Sequence, residues 1–208
     1  MITAKEALER LREGNKRFVS GVRSIDTIAK QMQRADFVEG QAPFAIILGC
    51  SDSRVPAEIV FDQGLGDLFV IRVAGNIVAP SQIGSVEFAA ERFGTPLVVI
   101  LGHSMCGAVM ATLDDLEHPK KDHSSNVLSI VNRIRPTIEP LFRTELRKNP
   151  EQLLEASIRA NILAAANHLR HGSQMVENLI QQGALTIVGA EYCLRTGEVE
   201  FLEDIETI

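Results

Sequence analysis

The sequence predicts an α/β protein with a mostly parallel central sheet of four strands plus an edge strand, helices on both faces and an N-terminal helical arm. Apolar runs of strand length at residues 44–48, 68–73, 97–101 and 185–188 alternate with longer segments of helical periodicity. These runs are almost continuously apolar, which is typical of strands buried on both faces of a sheet. Alternating strands and helices favour a parallel sheet covered on both sides.

The arm covers residues 1–40 and is predicted to contain two helices. Thr3 and Glu6 have the spacing of a capping box, and the apolar residues that follow recur at helical spacing as far as Ser20. A second helix is predicted over residues 28–38. The arm leads directly into the first apolar run, with no linker between them.

The later elements follow from capping residues and breakers. Ser81 is predicted to cap a helix that ends at Phe93, and a further helix is predicted over residues 107–116. The pattern from 123 to 182 is helical and is predicted to break at four residues: Pro136, Pro140, Pro150 and Gly172. Residues 198–202 form the predicted edge strand.

The length, charge and cysteine content of the chain exclude several classes of function. The chain has 208 residues, enough for one domain with a sizeable core, and residues 1–208 contain no repeat or linker that would divide it. The net charge is −6 and basic residues do not cluster, which argues against nucleic-acid binding. We find no membrane span and no signal-peptide core, so we expect a cytoplasmic protein. Three cysteines are an odd number, which argues against a disulfide framework.

Two short motifs follow neighbouring apolar runs. Cys50, Asp52 and Arg54 come after the first run, and His103 and Cys106 come after the third. The carboxyl ends of parallel strands form the ligand edge of an open α/β sheet, so these side chains are expected to meet there. Two thiolates, an imidazole and a carboxylate are ligands that zinc takes in tetrahedral geometry.

Other interpretations of the cysteines remain open from the motifs alone. Free cysteines are often small buried hydrophobes that only fill space. Cys50 and Cys106 could also form a redox pair, although they lack the spacing of a C-x-x-C motif. Cys193 has no ligand at suitable spacing and is interpreted as a packing residue.

The combined motifs resemble those of the β-class carbonic anhydrases. The similarity is carried by the segments at 50–56, 66–72, 74–76 and 102–107, in this order and at these intervals. It extends over nearly the whole chain. It implies reversible hydration of carbon dioxide to bicarbonate and a proton, with Zn²⁺ as cofactor, and subunits assembled as homodimers or homotetramers. It also implies that the arm packs on a partner subunit.

The resemblance assigns roles to particular residues. Cys50, His103 and Cys106 would bind zinc, and Asp52 would become a ligand only in a closed form. In the active form, zinc-bound hydroxide would attack carbon dioxide, oriented by Asp52, which Arg54 holds off the metal. The substrate pocket would be lined by five residues, of which the first would serve the zinc of a partner subunit: Gln41, Phe69, Ala74, Phe88 and Gly107.

One position departs from part of the family. Some members bind bicarbonate at an inhibitory site built with Trp, Gly and Tyr. Gly49 and Tyr192 match this pattern, but Ile47 stands at the Trp position and the chain contains no Trp. We therefore do not expect bicarbonate inhibition of that kind.

Two other functions share the motif. A related zinc hydrolase would act on carbon disulfide or carbonyl sulfide in the same scaffold. A non-catalytic zinc module would use the metal for assembly, but such a module has no need of the pair formed by Asp52 and Arg54.

Overall fold

The computed structural model describes residues 2–25, 27, 38, 40–119 and 124–202. Within these residues the central sheet has five strands in the order β2-β1-β3-β4-β5. Their bounds are β1 Ala45–Gly49, β2 Leu68–Arg72, β3 Leu97–His103, β4 Thr186–Tyr192 and β5 Val199–Phe201. Strands β1 to β4 are parallel, and β5 pairs antiparallel with β4. The predicted sheet of four strands plus an edge strand is confirmed.

Seven helices have both ends within the described residues, and they pack on the two faces of the sheet. They are α1 Ala4–Val19, α2 Ala57–Val60, α3 Pro80–Phe93, α4 Gly107–Glu117, α5 Ser125–Phe142, α6 Pro150–His171 and α7 Gln174–Gln181. Two 3₁₀ turns span Ala74–Asn76 and Glu145–Lys148. None of the helices described combines the length and apolar character that a membrane span requires.

Both faces of the sheet are buried because successive strand residues face opposite sides. Ile46 and Leu48 of β1 belong to one core cluster, which also contains residues of α3 to α7. Ile47 belongs to the other cluster, with residues of α1 and α2. The continuous apolar run of β1 is therefore explained by helices on both sides.

Helix α1 begins and ends as the sequence predicts. Thr3 is its N-cap and forms the capping box with Glu6, and Ser20 is its C-cap. Its apolar face packs against the sheet of its own chain, with Leu8 and Leu11 buried. The second predicted helix, over 28–38, lies outside the described residues apart from Val38.

The predicted breaks at Pro136 and Pro140 are wrong, because α5 continues through both residues. A proline removes the hydrogen bond to the carbonyl group four residues earlier. The carbonyl groups that lose their helical donors are those of Asn132 and Pro136. Both residues lie, with Pro140, on an exposed side of the helix, where water can donate to these carbonyl groups instead. By contrast, the predicted breaks at Pro150 and Gly172 are confirmed, because they are the two ends of α6. Pro150 is the first residue of this helix, where proline is favoured, and Gly172 is the C-cap of the same helix.

The cap predicted at Ser81 is also wrong. Helix α3 begins one residue earlier, at Pro80, and its N-cap is Ala79, which makes no side-chain cap bond. Proline fits the first helical position because its fixed φ is already helical and its missing N–H has no helical partner there. The hydroxyl of Ser81 instead donates to Gln82 Oε1 at 3.1 Å.

Candidate active site

The two sequence motifs meet at one edge of the sheet. Cys50 directly follows β1, and His103 is the last residue of β3. The two strands pair in parallel with Gly49 opposite Leu101, so they end side by side. A turn in which Met105 has a φ of 56° then brings Cys106 to the N-cap position of α4.

Three side chains form a compact buried cluster at this edge. The sulfur atoms of Cys50 and Cys106 and a ring nitrogen of His103 lie within 4.8 Å of one another. Their exposed fractions are 6%, 1% and 0% in the same order. Neither cysteine forms a disulfide. The predicted ligand set is therefore brought together within bonding range of a single ion.

The imidazole of His103 fits a metal ligand. Its Nδ1 lies 2.9 Å from the carbonyl oxygen of Ser104, so this nitrogen carries the ring proton and donates it. Its Nε2 is buried and has no hydrogen-bond partner among the described residues. A buried nitrogen lone pair without a donor is costly, and a metal ion held with two thiolates would satisfy it.

The two thiols alter each other's acidity. The pKa of Cys50 is lowered to about 4, chiefly because the Cys106 thiol donates a hydrogen bond to its sulfur. The pKa of Cys106 is raised by the same contact and by burial. A metal ion that binds both sulfurs as thiolates would displace the proton of the hydrogen bond between them.

Asp52 lies beside the cluster but is held by Arg54. Arg54 donates from Nε to Oδ1 at 2.9 Å and from Nη2 to Oδ2 at 2.7 Å, and its backbone N–H donates to Oδ1 at 3.0 Å. These contacts, the side-chain bonds above all, hold the pKa of Asp52 well below its usual range. Oδ2 is nevertheless only 3.9 Å from His103 Nε2.

Arg72 is a site residue to which the sequence motifs assign no role. From the last position of β2, its Nε donates to the carbonyl oxygen of Cys50 at 3.0 Å and its Nη2 to that of Asp52 at 2.5 Å. The sequence feature that could have indicated this role is the position of Arg72 at the end of a predicted strand. In the sheet, Arg72 lies opposite Gly49, the residue before Cys50. Its contacts fix the backbone of the first motif.

The pocket residues suggested by the resemblance fall into two groups in this chain. Ala74 begins the 3₁₀ turn whose next residue contacts Cys50, and Gly107 directly follows Cys106, so both adjoin the cluster. Phe69 and Phe88 instead pack together beside β2, with ring centroids 6.3 Å apart. Gln41 lines a cavity of about 550 Å³ on that side.

The second group lies away from the cluster. Phe69 is three residues before the end of β2, a distance of about 10 Å along the strand. Phe93 links the group, since its ring packs on both Phe69 and Phe88 and it also lines the cavity with Gln41. This chain alone therefore does not bring Gln41, Phe69 and Phe88 to the cluster formed by its own cysteines and histidine.

Comparison with known proteins identifies the family. The family model described as carbonic anhydrase matches residues 45–199. A carbonic anhydrase of Mycolicibacterium smegmatis is 38% identical over 93% of this chain and 91% of its own length. Carbonic anhydrase 2 of Mycobacterium tuberculosis is 36% identical over 97% of this chain and 94% of its own.

A solved structure agrees in fold. The β-carbonic anhydrase CcaA superposes with a TM-score of 0.74 at 26% identity, and the match covers 95% of this chain and 92% of that one. The matched family region contains both motifs, and the cysteine–histidine cluster lies where their strands end. The chain therefore belongs to the carbonic anhydrases, in their β class.

Proposed function

We propose that this carbonic anhydrase interconverts carbon dioxide and bicarbonate at a zinc centre held by Cys50, His103 and Cys106. The observation that carries the proposal is the buried Nε2 of His103, which lies beside two thiols and has no hydrogen-bond partner among the residues that the structure describes. When bound, zinc acts as a Lewis acid that makes water a nucleophile near neutral pH. Cys50, His103 and Cys106 would supply three protein ligands, the number that is typical of catalytic rather than structural zinc.

Asp52 would orient the attacking water. Its lowered pKa keeps the carboxylate ionised, so it acts as a hydrogen-bond acceptor at the edge of the cluster. Arg54 binds both oxygens through one planar fork, which fixes the direction of the carboxylate and keeps it from turning toward His103. Oδ1 accepts two of the bonds from Arg54 and Oδ2 accepts one, so Oδ2 retains a lone pair for the water.

The apolar pocket for carbon dioxide would be completed by a second subunit. Strand β2 ends the sheet on one side, and its outer edge pairs with no other strand in the described chain. Phe88 and Leu65, on the same side, are 55% and 46% exposed. An unpaired strand edge with exposed apolar neighbours favours association. We therefore propose a homodimer, or a homotetramer of two dimers, in which Gln41, Phe69 and Phe88 face the partner's zinc centre.

The N-terminal arm would contribute to the same assembly. Helix α1 already buries its apolar face on its own sheet, so its contact with a partner would involve other residues. Val22 and Ile25 follow α1 and are 58% and 82% exposed. Their exposed apolar side chains support the proposed packing of the arm, within one domain of residues 1–208, against a partner subunit.

The chemistry of the proposed metal ligands also suggests the cellular compartment in which the enzyme works. Two thiols within 4.8 Å of each other are easily oxidised to a disulfide when no metal protects them. A reducing environment preserves both as zinc ligands. We propose on this basis that the enzyme works in the cytoplasm.

Stopped-flow measurement of carbon dioxide hydration tests the proposed function. The protein would be assayed with its zinc content determined, then after chelation and after zinc is restored. We expect hydration that follows zinc content. Cys193→Ser is the matched control, because Cys193 lies outside the cluster, and it should behave like wild type. Absence of hydration with zinc fully bound would contradict the proposal, and sulfide release from carbon disulfide would then indicate the sulfur-substrate hydrolase.

A further inference from the structure

A buried asparagine of α6 is connected to the metal cluster through one glycine. Asn161 is 4% exposed, and its Nδ2 donates to the carbonyl oxygen of Gly75 at 2.9 Å. The N–H of Gly75 in turn donates to the sulfur of Cys50 at 3.4 Å. We propose that Asn161 is a positioning residue that holds Gly75 in the orientation needed for this bond and so sets the metal affinity of the cluster. This inference rests on zinc binding by Cys50, His103 and Cys106.

The backbone of Gly75 needs such support. It has a φ of 69° and a ψ of 21°, and Asn76 after it has a φ of 44°. A Cβ atom at Gly75 would lie 2.8 Å from Ile134 Cδ1 and 2.9 Å from the Cβ of Ala108. Two successive residues in the left-handed region persist only when surrounding contacts hold them. The hydrogen bond from Asn161 is one such contact, and it acts on the residue that reaches the sulfur.

The same helix also supports the other half of the cluster. Ile162, next to Asn161, packs so closely on Gly102 that a Cβ atom there would lie 2.4 Å from Ile162 Cδ1. Gly102 immediately precedes His103. Helix α6 therefore contacts the Cys50 side through a hydrogen bond and the His103 side through apolar packing. This arrangement lets one rigid element fix the separation of the ligands.

Packing alone does not account for an asparagine at this position. Apart from Ser157, its buried neighbours along the helix are apolar, including Ile158, Ile162 and Ala165. Asparagine is a weaker helix former than leucine, and burying its amide costs free energy unless the amide is bonded. A bond to the turn that contacts the metal ligand supplies a reason for the amide. Hydrogen bonds to a ligand atom fix its direction and tune its donation to the metal.

Substitution of Asn161 separates positioning from packing. Asn161→Leu has a similar shape without a donor, and Asn161→Ala fits the same space. Zinc affinity, measured by competition with a chromogenic chelator, should fall by about 10- to 100-fold in both variants. After cobalt substitution, the sulfur-to-metal charge-transfer band should shift, which a loss of packing alone would not cause. Unchanged affinity and an unchanged band in the folded variants would overturn the inference.

Ser157→Ala is the matched control. Ser157 lies one turn earlier on α6, is fully buried, and its hydroxyl has no hydrogen-bond partner among the described residues. Its removal also takes a buried polar group from this helix, but it takes no contact from Gly75. We expect wild-type zinc affinity and a wild-type cobalt band. A loss as large as in Asn161→Leu would show that the effect comes from the helix rather than from the bond.

A measurement on the wild-type protein keeps the test decisive if the variants fold poorly. With ¹¹³Cd in the site and ¹⁵N-labelled glycine, the amide proton of Gly75 should show a scalar coupling to the metal through the N–H···S bond. No coupling would contradict the inference. Failure of the wild type to bind zinc or cadmium through these ligands would instead contradict the proposed function.

Discussion

Arg54 binds both carboxylate oxygens of Asp52, through Nε to Oδ1 at 2.9 Å and through Nη2 to Oδ2 at 2.7 Å. The same Nη2 lies 3.5 Å from the carbonyl oxygen of Met105. One guanidinium therefore connects the loop after β1 with the loop after β3. Because Oδ2 is only 3.9 Å from His103 Nε2, a carboxylate released by Arg54 would lie within reach of a metal ion bound at the proposed centre.

Arg54→Ala should lower carbon dioxide hydration by about 10- to 100-fold without loss of zinc. The freed carboxylate would turn onto the metal and occupy the open position. Arg54→Lys should also be impaired, because an ammonium group cannot bind both oxygens in one plane. Stopped-flow rates and metal analysis of the same samples provide the measurement.

Arg143→Ala serves as the control for this variant. Arg143 forms an exposed ion pair with Glu139 at the end of α5, away from the cluster, and exposed pairs of this kind contribute little. It should retain the wild-type rate. Full activity in Arg54→Ala would contradict the role given to the pair of Arg54 and Asp52.

Activity should rise toward alkaline pH. Two thiolates and a neutral imidazole cancel the formal charge of Zn²⁺, whereas three imidazoles would leave it dipositive. A less positive ion acidifies water less, so more of the nucleophile forms as the pH increases. The hydration rate measured from neutral to mildly alkaline pH provides the check, and a flat profile would exclude this explanation.

Glu191 should make stability depend on pH. Burial raises the pKa of this β4 carboxyl, although Arg159 lies 3.1 Å away and opposes the shift. The pKa of the Glu191 carboxyl group is higher in the folded than in the unfolded protein, so the protonated carboxyl group favours folding. Its contribution to the free energy of unfolding is present at low pH and is lost as the pH rises through the folded-state pKa. Glu191→Gln, which resembles the protonated form, should therefore gain stability relative to wild type as pH rises from acid to neutral. Thermal unfolding at each pH provides the comparison, and parallel curves would refute this role.

Gly75→Ala should weaken both the fold and the metal site. The added Cβ atom meets Ile134 and Ala108 below 3.0 Å, and the positive φ is unfavourable for alanine. We expect a loss of about 1–3 kcal/mol in unfolding free energy, measured with urea on zinc-loaded protein, together with weaker zinc binding.

Gly84→Ala is the matched comparison for that change. Gly84 lies inside α3, and a Cβ atom there would meet nothing within 4 Å. Alanine is the better helix former by about 1 kcal/mol, so this variant should be more stable than wild type. Equal losses in both variants would show that the cluster places no special demand on Gly75.

The sequence predicts the cluster of two cysteines and a histidine because chemistry and topology coincide at these residues. Cys50 and His103 each follow an apolar run, and parallel strands end at a common edge. Arg72 also lies at a strand end, but its chemistry and that of Asn161 carry no signal, because each acts on a backbone carbonyl group that any residue could supply. Their roles depend on sheet register and helix packing, which the spacing of residues does not reveal.

The ends of the strands and helices also depend in part on contacts that the local sequence does not reveal. The predicted run at 185–188 stops at Gly189, with Glu191 two residues further on, yet β4 continues to Tyr192. Glu191 is accommodated there by Arg159 of α6, a partner distant in sequence. The prolines of α5 are tolerated because their side of the helix faces water. In each case a tertiary contact or solvent exposure overrides the local pattern.

X-ray absorption at the zinc edge tests the ligand set most directly. The arrangement of Cys50, His103 and Cys106 predicts two sulfur ligands at about 2.3 Å and two lighter ligands at about 2.0–2.1 Å, one of them the imidazole. A spectrum without sulfur, or with three or more sulfur ligands, would contradict the proposed centre.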